Sequence, residues 1–566
     1  MTFNLRYAKI AVCRADLRQG ALITHGEKEK AEMKELKELK FEELSTDQKI
    51  GMVMAGILNP VRKSEEDKYG TLAENVDFVI DLIKNHSLGA VWVSPSTLES
   101  CPSIMPRIKE AADYPILIFT DAESGLGEYK VGRHNSIGIA NREDLAYTFG
   151  KVTAITARNL GYNVVCNPVL DLGSGANTNR ILGSDKERVT SLAAAMATGM
   201  HDGGVLTVAK HYPCTRIAID PHMAPSASTE SLDSIVNYRM YPYRELSRLG
   251  LLDGVMKAHV TSLAIDPERP ASVSMKASEL LRGVGFDGFF ITDALDMMGV
   301  RALYGDEKLK GMCIAGGVEI ILPWFSAKKA YHDLKKCYEN GIFTEERLDD
   351  AVKRVLAAQH KVMLYTEPKY TEITDEDARL FEEINRSSVY AITDEGVSPS
   401  ISRDGNHFFA IMVSNSIDLS DGGKSATDTF SDAWHHPYKI KARIEELFPN
   451  SKCRFFYEHP YPRQNADILA SSLGCDETIF VTYAEAPAHS GSDRFTPRAL
   501  ALMKAMSMTD RFTTQIHFGN PYVLEDAPHS KRHIMGCVSA NCVDSALEIL
   551  AGNLEPTGHP TYDAKL

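Results

Sequence analysis

The sequence predicts an α/β fold: a (β/α)8 barrel of the TIM type, followed by a smaller open sheet covered by helices. Three observations support this prediction. Short, apolar, β-branched runs recur eight times in the first part of the chain. Amphipathic stretches of helical period separate most of them. Polar residues able to do chemistry stand at the carboxyl ends of these runs, as expected for the active face of a barrel.

The apolar runs are the first of these observations. In chain order they are "IGMVMAG", "LGAVWVS", "YPILIFTDAE", "YNVVCNPVLDL", "GVLTVAKHY", "GVMKAHVTS", "FDGFFITDA" and "VEIILPW". Strands that are apolar throughout fit a parallel sheet buried on both faces. The intervening stretches, such as "REDLAYTFGKVTAITARNLG", are amphipathic and predict helices. Eight strands that alternate with helices are the number required to close a (β/α)8 barrel.

The polar residues at the run ends support closure of the sheet. They are Asp121, Asn167, Lys210, His211, His259 and Asp293. In a barrel the carboxyl ends of all strands share one face, where active sites are built. We therefore expect these side chains to meet there.

Composition shifts along the chain predict four segments. An N-terminal extension, residues 1–45, contains "GEKEKAEMKELKELKFEEL", whose alternating charges are typical of a solvated helix. The barrel covers residues 46–366 and ends with an amphipathic helix. A polar linker covers 367–385. A second domain, 386–566, contains the apolar runs "HFFAIMVSN", "CRFFYE", "TIFVTYAE", "TTQIHFG" and "HIMGCVSA".

Composition and charge argue against several classes of partner. The 566-residue chain is 44% hydrophobic and can bury more than one core. A net charge of −14 provides no global positive field for nucleic acid or an anionic membrane. The ten cysteines form no CxxC pair, which favours free thiols in a reducing compartment. Without an apolar leader or an 18-residue apolar segment, we expect a soluble, cytoplasmic protein, and homo-oligomer formation stays open.

The stretch "GFDGFFITDALDMMGV" places Asp293 at the end of an apolar run. A carboxylate at the open end of a barrel strand can attack an electrophilic carbon or bind a cation. Thr292, Asp293 and Asp296 also precede a helical stretch, where an aspartate often caps the helix N-terminus. The residues alone favour neither role.

The stretch "AKHYPCTRIAIDPH" carries a second group of polar residues. Lys210 and His211 can donate hydrogen bonds to substrate hydroxyls, although a lysine at a strand end is more often solvated or ion-paired. His211 could equally be a core histidine. An extended D-x-H segment places Asp220 and His222 on the same side of the chain. The aspartate then favours the protonated imidazole, which makes a proton-shuttling pair.

Metal and nucleotide sites lack support in the sequence. The histidines and cysteine of this stretch have no standard zinc spacing, so we predict no metal and no cofactor. No GxGxxG or P-loop lysine is present, and no GxSxG nucleophile elbow is present either.

Six stretches, spread between about residues 48 and 365, carry a specific resemblance. They are "IFTDAESG", "NPVLDL", "NRILGSD", "VLTVAKHYPCTRIAIDPH", "VMKAHVTSLAIDPERPAS" and "GFDGFFITDALDM". In content and order they resemble glycoside hydrolase family 3, in its β-N-acetylhexosaminidase branch. The second region, through "FGNPYVL", resembles the α/β sandwich domain of the two-domain members.

The resemblance implies a role for each matching position. Asp293 matches the nucleophile that forms a glycosyl-enzyme ester in a retaining double displacement. His222, with Asp220 beside it, matches the histidine that acts as general acid and then as base. Residues that bind the sugar hydroxyls match Asp121, Arg180, Lys210 and His211.

The chain also departs from the family pattern. Where the family usually has "KHFPGHG…DSH", this chain has "KHYPCTR…DPH". Cys214, Thr215 and Arg216 replace the flexible G-H-G, which implies a less pliable loop. Tyr129 stands where the family has an arginine that contacts the sugar, and Glu319 replaces an aspartate, a change we expect to be structural.

The resemblance implies a retaining exo-β-N-acetylglucosaminidase acting on a small carbohydrate, an N-acetylglucosaminide. A phosphorylase is an alternative, because a histidine acid lacks the fixed negative charge that would repel phosphate. A β-glucosidase is another, although those branches normally lack the Asp220–His222 pair. The altered loop also motivates a non-catalytic carbohydrate-binding relative. Retention of Asp293 with Lys210 and His211 weighs against it.

Overall fold

The computed structural model describes residues 36–60, 63–173, 180–214, 219–365, 367–413, 436–484 and 494–562. Its strands, in chain order, are β1 (Ala55–Ile57), β2 (Ala90–Trp92), β3 (Leu117–Thr120), β4 (Gly125–Leu126), β5 (Tyr129–Lys130), β6 (Val164–Val165), β7 (Leu206–Tyr212), β8 (Ser226–Ser228), β9 (Gly254–Lys257), β10 (Val260–Ser262), β11 (Phe289–Ala294), β12 (Ile320–Leu322), β13 (Val389–Thr393), β14 (Phe408–Val413), β15 (Lys452–Tyr457), β16 (Thr478–Ala484), β17 (Thr514–Gly519) and β18 (Arg532–Gly536).

The helices connect and cover these strands. In chain order they are α1 (Thr46–Met52), α2 (Glu66–Tyr69), α3 (Leu72–Lys84), α4 (Pro95–Ser100), α5 (Ile104–Ala111), α6 (Asn135–Ala140), α7 (Glu143–Leu160), α8 (Lys186–Asp202), α9 (Leu232–Ser234), α10 (Tyr241–Arg248), α11 (Met275–Arg282), α12 (Met298–Tyr304), α13 (Asp306–Ala315), α14 (Ala327–Glu339), α15 (Glu345–Leu364), α16 (Asp375–Arg386), α17 (Pro437–Leu447), α18 (Pro462–Ser472), α19 (Pro497–Ser507) and α20 (Ala540–Leu550). Within the described ranges, no helix has the length and apolarity needed to cross a membrane.

Eight parallel strands form the predicted barrel. Their order is β1-β2-β3-β6-β7-β9-β11-β12. The backbone N–H of Ile321 in β12 donates to the carbonyl of Val53, 3.1 Å away, just before β1. This bond joins the last strand to the first and closes the barrel. Each predicted apolar run contributes one barrel strand, so the barrel prediction is confirmed.

Large apolar side chains fill the barrel. The Phe119 ring lies edge-on to Phe289, with 6.1 Å between centroids, and it stacks on Trp92. Gly254 in β9 lies against the Phe289 ring, where a Cβ atom would approach ring carbons to 2.6 Å. A side chain at this position would therefore displace the aromatic core.

The second domain contains a six-stranded sheet in the order β13-β18-β17-β16-β14-β15. The five strands from β14 to β18 are parallel and coincide with the five predicted runs. Strand β13 pairs antiparallel with β18 and was not predicted, because "VYAIT" is short and directly follows a polar helix. The predicted smaller α/β sandwich is otherwise confirmed.

The segment predicted as a polar linker, 367–385, contains most of helix α16. Phe381 and Ile384 of this helix are buried in the barrel core. The Asp377 carboxylate accepts two hydrogen bonds from Lys151 of α7, each 2.9 Å long. The helix is thus packed on the barrel. The predicted N-terminal helix, residues 26–44, is described from residue 36 onward. This part contains no α-helix, only a short 3-10 turn at Phe41–Glu43.

The second domain packs against the barrel segments next to the predicted site. The Cys537 thiol donates to Asn135 of α6 at 3.1 Å. The backbone N–H of His559 donates to the carbonyl of Ile139, at 2.8 Å. Farther along the same tail, the carbonyl of Thr561 accepts from the backbone N–H of Ser184, also at 2.8 Å. The last of these contacts holds the segment that follows Arg180.

Glu319 lies at the amino end of β12, away from the carboxyl ends of the strands. Its carboxylate binds Arg347 at 2.7 Å and Arg282 at 3.2 Å, and accepts the Phe290 backbone N–H at 2.6 Å. Burial raises the pKa of Glu319 in spite of the two arginines. The position has the structural role expected from the sequence.

Candidate active site

The predicted polar residues meet at the carboxyl ends of the barrel strands. Asp121 directly follows β3, and Lys210 and His211 lie near the end of β7. Asp293 is the penultimate residue of "FFITDA" in β11, and His222 lies in the loop after β7. The parallel topology brings these strand ends to one face, as the sequence predicted.

Two cations and two carboxylates form a network at the centre of this face. The Lys210 ammonium lies 2.5 Å from Asp121 Oδ1 and 2.6 Å from Glu123 Oε1. Arg180 binds Glu123 through two bonds, Nε to Oε2 at 2.8 Å and Nη2 to Oε1 at 2.6 Å. The Lys210 side chain is buried, whereas that of Asp121 is half exposed. Asp121 is thus the member of the network best placed to meet a ligand.

The network keeps Glu123 and Lys210 charged. Burial alone would raise the pKa of Glu123, but Arg180 and Lys210 outweigh it and hold that pKa well below the usual range. Burial would likewise lower the pKa of Lys210, but Asp121 and Glu123 reverse the effect and raise it. A buried lysine kept protonated in this way is a strong hydrogen-bond donor.

His211 connects this network to Asp293. Its Nδ1 atom lies 2.7 Å from Asp171 Oδ2, and its backbone N–H donates to the same carboxylate. Its Nε2 atom lies 3.1 Å from Arg180 Nη2 and 4.0 Å from Asp293 Oδ2. Burial would raise the pKa of Asp171, but His211 beside it lowers that pKa. Asp171 therefore orients the His211 ring from behind.

Asp293 is an ionised carboxylate at this face. Burial would raise its pKa, but His211 and His259 outweigh this effect, and the pKa is lowered. The Ala294 backbone N–H also donates to Oδ1 at 2.8 Å. Asp293 does not cap the following helix: α12 begins at Met298, its N-cap residue is Met297, and no side chain caps it. The helix-cap interpretation is therefore wrong.

Asp220 and His222 form the predicted pair. Asp220 Oδ1 lies 2.7 Å from His222 Nδ1 and accepts the His222 backbone N–H at 2.9 Å. Burial would lower the pKa of His222, but the hydrogen bond that its ring donates to Asp220 and the charge of Asp293 raise it. His222 therefore holds its proton more readily than an ordinary histidine, and the charge of Asp293 contributes to this.

The loop that carries this pair is held against α12. The carbonyl of Pro221 accepts the Gly299 backbone N–H at 2.6 Å. A Cβ atom at Gly299 would come within 2.9 Å of Pro221, so only glycine permits this approach. At the start of the loop, the Cys214 thiol donates to the carbonyl of Leu170 and accepts the Leu172 N–H. The adjacent substitutions, Thr215 and Arg216, lie outside the described residues.

Two of the residues expected at this face have mainly structural contacts. His259 binds Ser272 Oγ at 2.9 Å through Nδ1 and the carbonyl of Ala294 at 3.0 Å through Nε2. Burial lowers its pKa, and it braces the end of β11 beside Asp293. Asn167 donates to the carbonyl of Ala122 at 3.0 Å. Among the described residues, no three His, Cys, Asp or Glu side chains are grouped to hold a metal ion.

A family model decides the identity of this barrel. The model of the glycosyl hydrolase family 3 N-terminal domain matches residues 66–358, just over half of the chain. The chain belongs to glycosyl hydrolase family 3. It is therefore a glycoside hydrolase, as the sequence motifs predicted.

Several family 3 relatives are similar to this chain. A β-hexosaminidase from Tolumonas auensis is 31% identical over 233 residues, which span 39% of this chain and 70% of that protein. A β-N-acetylglucosaminidase/β-glucosidase from Cellulomonas fimi is 24% identical over 329 residues, 53% of this chain and 58% of that protein. A β-hexosaminidase from Pseudomonas aeruginosa is 35% identical over 169 residues, 29% of this chain and half of that protein.

Two solved structures, one of them a glycoside hydrolase family 3 protein, share the fold. A β-N-acetylglucosaminidase from Paenibacillus sp. str. FPU-7 superposes with a TM-score of 0.72 at 22% identity, covering 92% of this chain and 99% of that one. A β-glucoside phosphorylase superposes with a TM-score of 0.73, also at 22% identity, covering 92% and 94%. At these identities the likeness supports the two-domain fold alone.

Sequence reasoning missed two members of this family 3 site, Glu123 and Asp171. Glu123 lies two residues after Asp121, so in an extended segment both side chains point to the same side, which is the signal that could have found it. Asp171 is the penultimate residue of the stretch "NPVLDL".

Tyr129 stands at the position of the family's arginine. Its ring packs edge-on against that of Phe381, with ring centroids 5.7 Å apart.

Replacing Glu123 by glutamine tests how the ion network contributes to folding. The change leaves the buried Lys210 and Arg180 without their shared carboxylate. We expect the free energy of unfolding to fall by about 3 kcal/mol in a denaturant titration at neutral pH. Because the folded-state pKa of Glu123 is lowered, its stabilisation is present above the ordinary glutamate pKa. The difference between wild type and variant should shrink as the pH falls through the folded-state pKa.

Glu376→Gln is the matched control for this prediction. Glu376 pairs with Arg379 on the exposed surface of α16. Solvent screening makes such pairs weak, so little stability should be lost. Equal losses in the two variants would mean that the Glu123 network does not stabilise the fold.

Proposed function

We propose that this protein is a retaining exo-β-N-acetylglucosaminidase that uses Asp293 as nucleophile and His222 as acid and base. The observation that carries the proposal is the Asp220–His222 pair in electrostatic contact with Asp293. The pair supplies a protonated imidazole, and Asp293 supplies an ionised carboxylate, which are the two groups that retaining hydrolysis needs. The similarity to bacterial β-hexosaminidases supports the acetylamino sugar as substrate.

In the first step, Asp293 attacks the anomeric carbon of the terminal sugar. The bond from that carbon to the glycosidic oxygen breaks, and His222 gives its proton to the departing oxygen. A glycosyl ester of Asp293 forms, and the aglycone leaves as an alcohol. Asp220 stabilises the imidazolium before the transfer and keeps the ring oriented.

In the second step, the neutral His222 takes a proton from water. The water oxygen attacks the anomeric carbon, and the ester bond to Asp293 breaks. The sugar is released with its original anomeric configuration, because two inversions have occurred. Asp293 and His222 return to their starting protonation states.

The remaining charged residues bind the sugar ring. Asp121 accepts from ring hydroxyls, since its half-exposed carboxylate is fixed by Lys210. Lys210 and Arg180 donate to the hydroxyl oxygens, and His211 positions Arg180 by accepting from it at Nε2. Bonds of this kind that tighten as the ring flattens contribute to rate more than to ground-state affinity.

Phosphorolysis is the second candidate function. The acid and base is a histidine, so no fixed negative charge at that position repels an incoming phosphate. Phosphate could then take the place of water in the second step, giving a sugar 1-phosphate. A β-glucoside phosphorylase of the same fold makes glucosides a further substrate class to test.

The deciding experiment measures turnover of 4-nitrophenyl β-N-acetylglucosaminide and of the β-glucoside, each with and without inorganic phosphate. We expect the acetylamino sugar to be turned over without phosphate and released as the free sugar. Phosphate-dependent release of a sugar 1-phosphate would establish the phosphorylase instead. Turnover of the glucoside alone would contradict the proposed specificity.

We also propose that the enzyme acts in the cytoplasm. The nine cysteines within the described residues are free thiols, which fits a reducing compartment. Cell fractionation should recover the activity together with a cytoplasmic marker enzyme. Recovery in the culture medium would contradict this location.

A further inference from the structure

Large apolar side chains are exposed on the loop that carries the acid and base. Ile219 directly precedes Asp220 and is 48% exposed, and Met223 directly follows His222 and is 53% exposed. Met298, at the start of α12, is 43% exposed. Exposed apolar side chains at these three positions add little to the stability of the fold, because such side chains stabilise a protein when they are buried.

These three residues lie on adjacent segments. The bond from the Gly299 backbone N–H to the carbonyl of Pro221 is 2.6 Å long. It brings Met298, the neighbour of Gly299, next to the segment that contains Ile219 and Met223. We refer to Ile219, Met223 and Met298 as the apolar rim. Ile219 and Met223 thus flank the Asp220–His222 pair along the chain, and Met298 lies on the segment that is bonded to Pro221 between them.

Chemistry determines which part of a substrate lies beside the rim. The proton donor must come within hydrogen-bond reach of the glycosidic oxygen, at roughly 3 Å. The sugar that is cleaved off lies on the other side of that oxygen, toward Lys210 and Arg180. The aglycone therefore emerges next to His222, where the rim side chains are exposed.

We propose that the apolar rim forms the aglycone subsite and selects glycosides whose aglycone is apolar next to the scissile bond. This inference rests on the proposed function. A polar sugar at that position would need hydrogen-bond partners to replace water, and methionine and isoleucine side chains provide almost none. An alkyl or aryl group gains free energy by covering them. Methionine also adapts to aglycones of different shape.

The test uses a series of alkyl β-N-acetylglucosaminides: methyl, propyl, butyl, hexyl and octyl. From propyl onward the leaving alcohols have nearly the same basicity, so the chemical demand on His222 is constant along the series. We expect kcat/KM to rise about twofold to fourfold for each added methylene until the rim is covered. The slope of log kcat/KM against chain length is the measured quantity.

Variants assign that slope to the rim. In the double variant Met223→Ser, Met298→Ser we expect the slope to fall by at least half. Met508→Ser is the matched control, because Met508 is 86% exposed after α19 in the second domain. Its slope should equal that of the wild type. Melting temperatures of the three proteins show whether the changes have affected folding.

The outcomes separate this inference from the function on which it rests. Turnover of methyl and octyl glycosides with equal kcat/KM would overturn the apolar subsite and leave the hydrolase intact. A slope that survives unchanged in the double variant would overturn its assignment to the rim. Absence of turnover with every N-acetylglucosaminide would contradict the proposed function, and alkyl β-glucosides would then test the rim by the same slope.

Discussion

Replacing Asp293 by alanine is expected to lower kcat/KM for 4-nitrophenyl β-N-acetylglucosaminide by about 10⁴-fold or more. In the proposed mechanism the Asp293 carboxylate forms the covalent bond to the anomeric carbon, so its removal abolishes the first step. The loss should be similar for good and poor leaving groups, because the missing bond is needed in both cases. Steady-state rates with aryl glycosides of different basicity measure this directly.

Added azide makes the prediction more specific. In the cavity left by the alanine, azide can attack the anomeric carbon from the side of the missing carboxylate. The product would be a glycosyl azide of inverted configuration, and the rate should rise with azide concentration. Asp296→Asn is the matched control, because Asp296 is a neighbouring carboxyl whose pKa is raised by burial. A loss as large in that variant, with no azide product from Asp293→Ala, would exclude Asp293 as nucleophile.

The barrel and much of its active face could be predicted from sequence. Apolar runs that end near Asp121, Lys210 and Asp293 are enough to predict that these residues share one face, because a parallel barrel brings the carboxyl ends of all its strands together. The Asp220–His222 pair was also predictable, since both residues lie within one short loop segment. Local patterns encode local geometry well.

Long-range pairing could not be predicted in the same way. Arg180 binds Glu123 across 57 residues of chain, and His211 binds Asp171 across 40. No local period indicates which carboxylate will face which cation. Helix α16 is a second example: its sequence is polar, and only the packing of Phe381 against the barrel shows why it is fixed there.

His222→Ala should lower kcat/KM by about 10²- to 10⁴-fold for aglycones that need a proton to depart. For an activated aglycone such as 4-nitrophenol, the rate of the first step should fall far less, because that leaving group departs as an anion. The variant therefore separates the two classes of substrate, unlike Asp293→Ala. Equal losses across leaving groups of every basicity would contradict the role of His222 as acid.

The pH dependence of kcat/KM tests the Asp220–His222 pair in the wild-type enzyme. The proposed mechanism needs a charged Asp293, whose pKa is lowered, and a protonated His222, whose pKa is raised. The rate should therefore fall as the pH rises through the pKa of His222, which lies above that of an ordinary histidine. Asp220→Asn keeps an oxygen acceptor at Nδ1 but removes the charge, so the alkaline limb should move to lower pH. If that limb stays where it is, Asp220 does not set the protonation of His222, and another group must carry the proton.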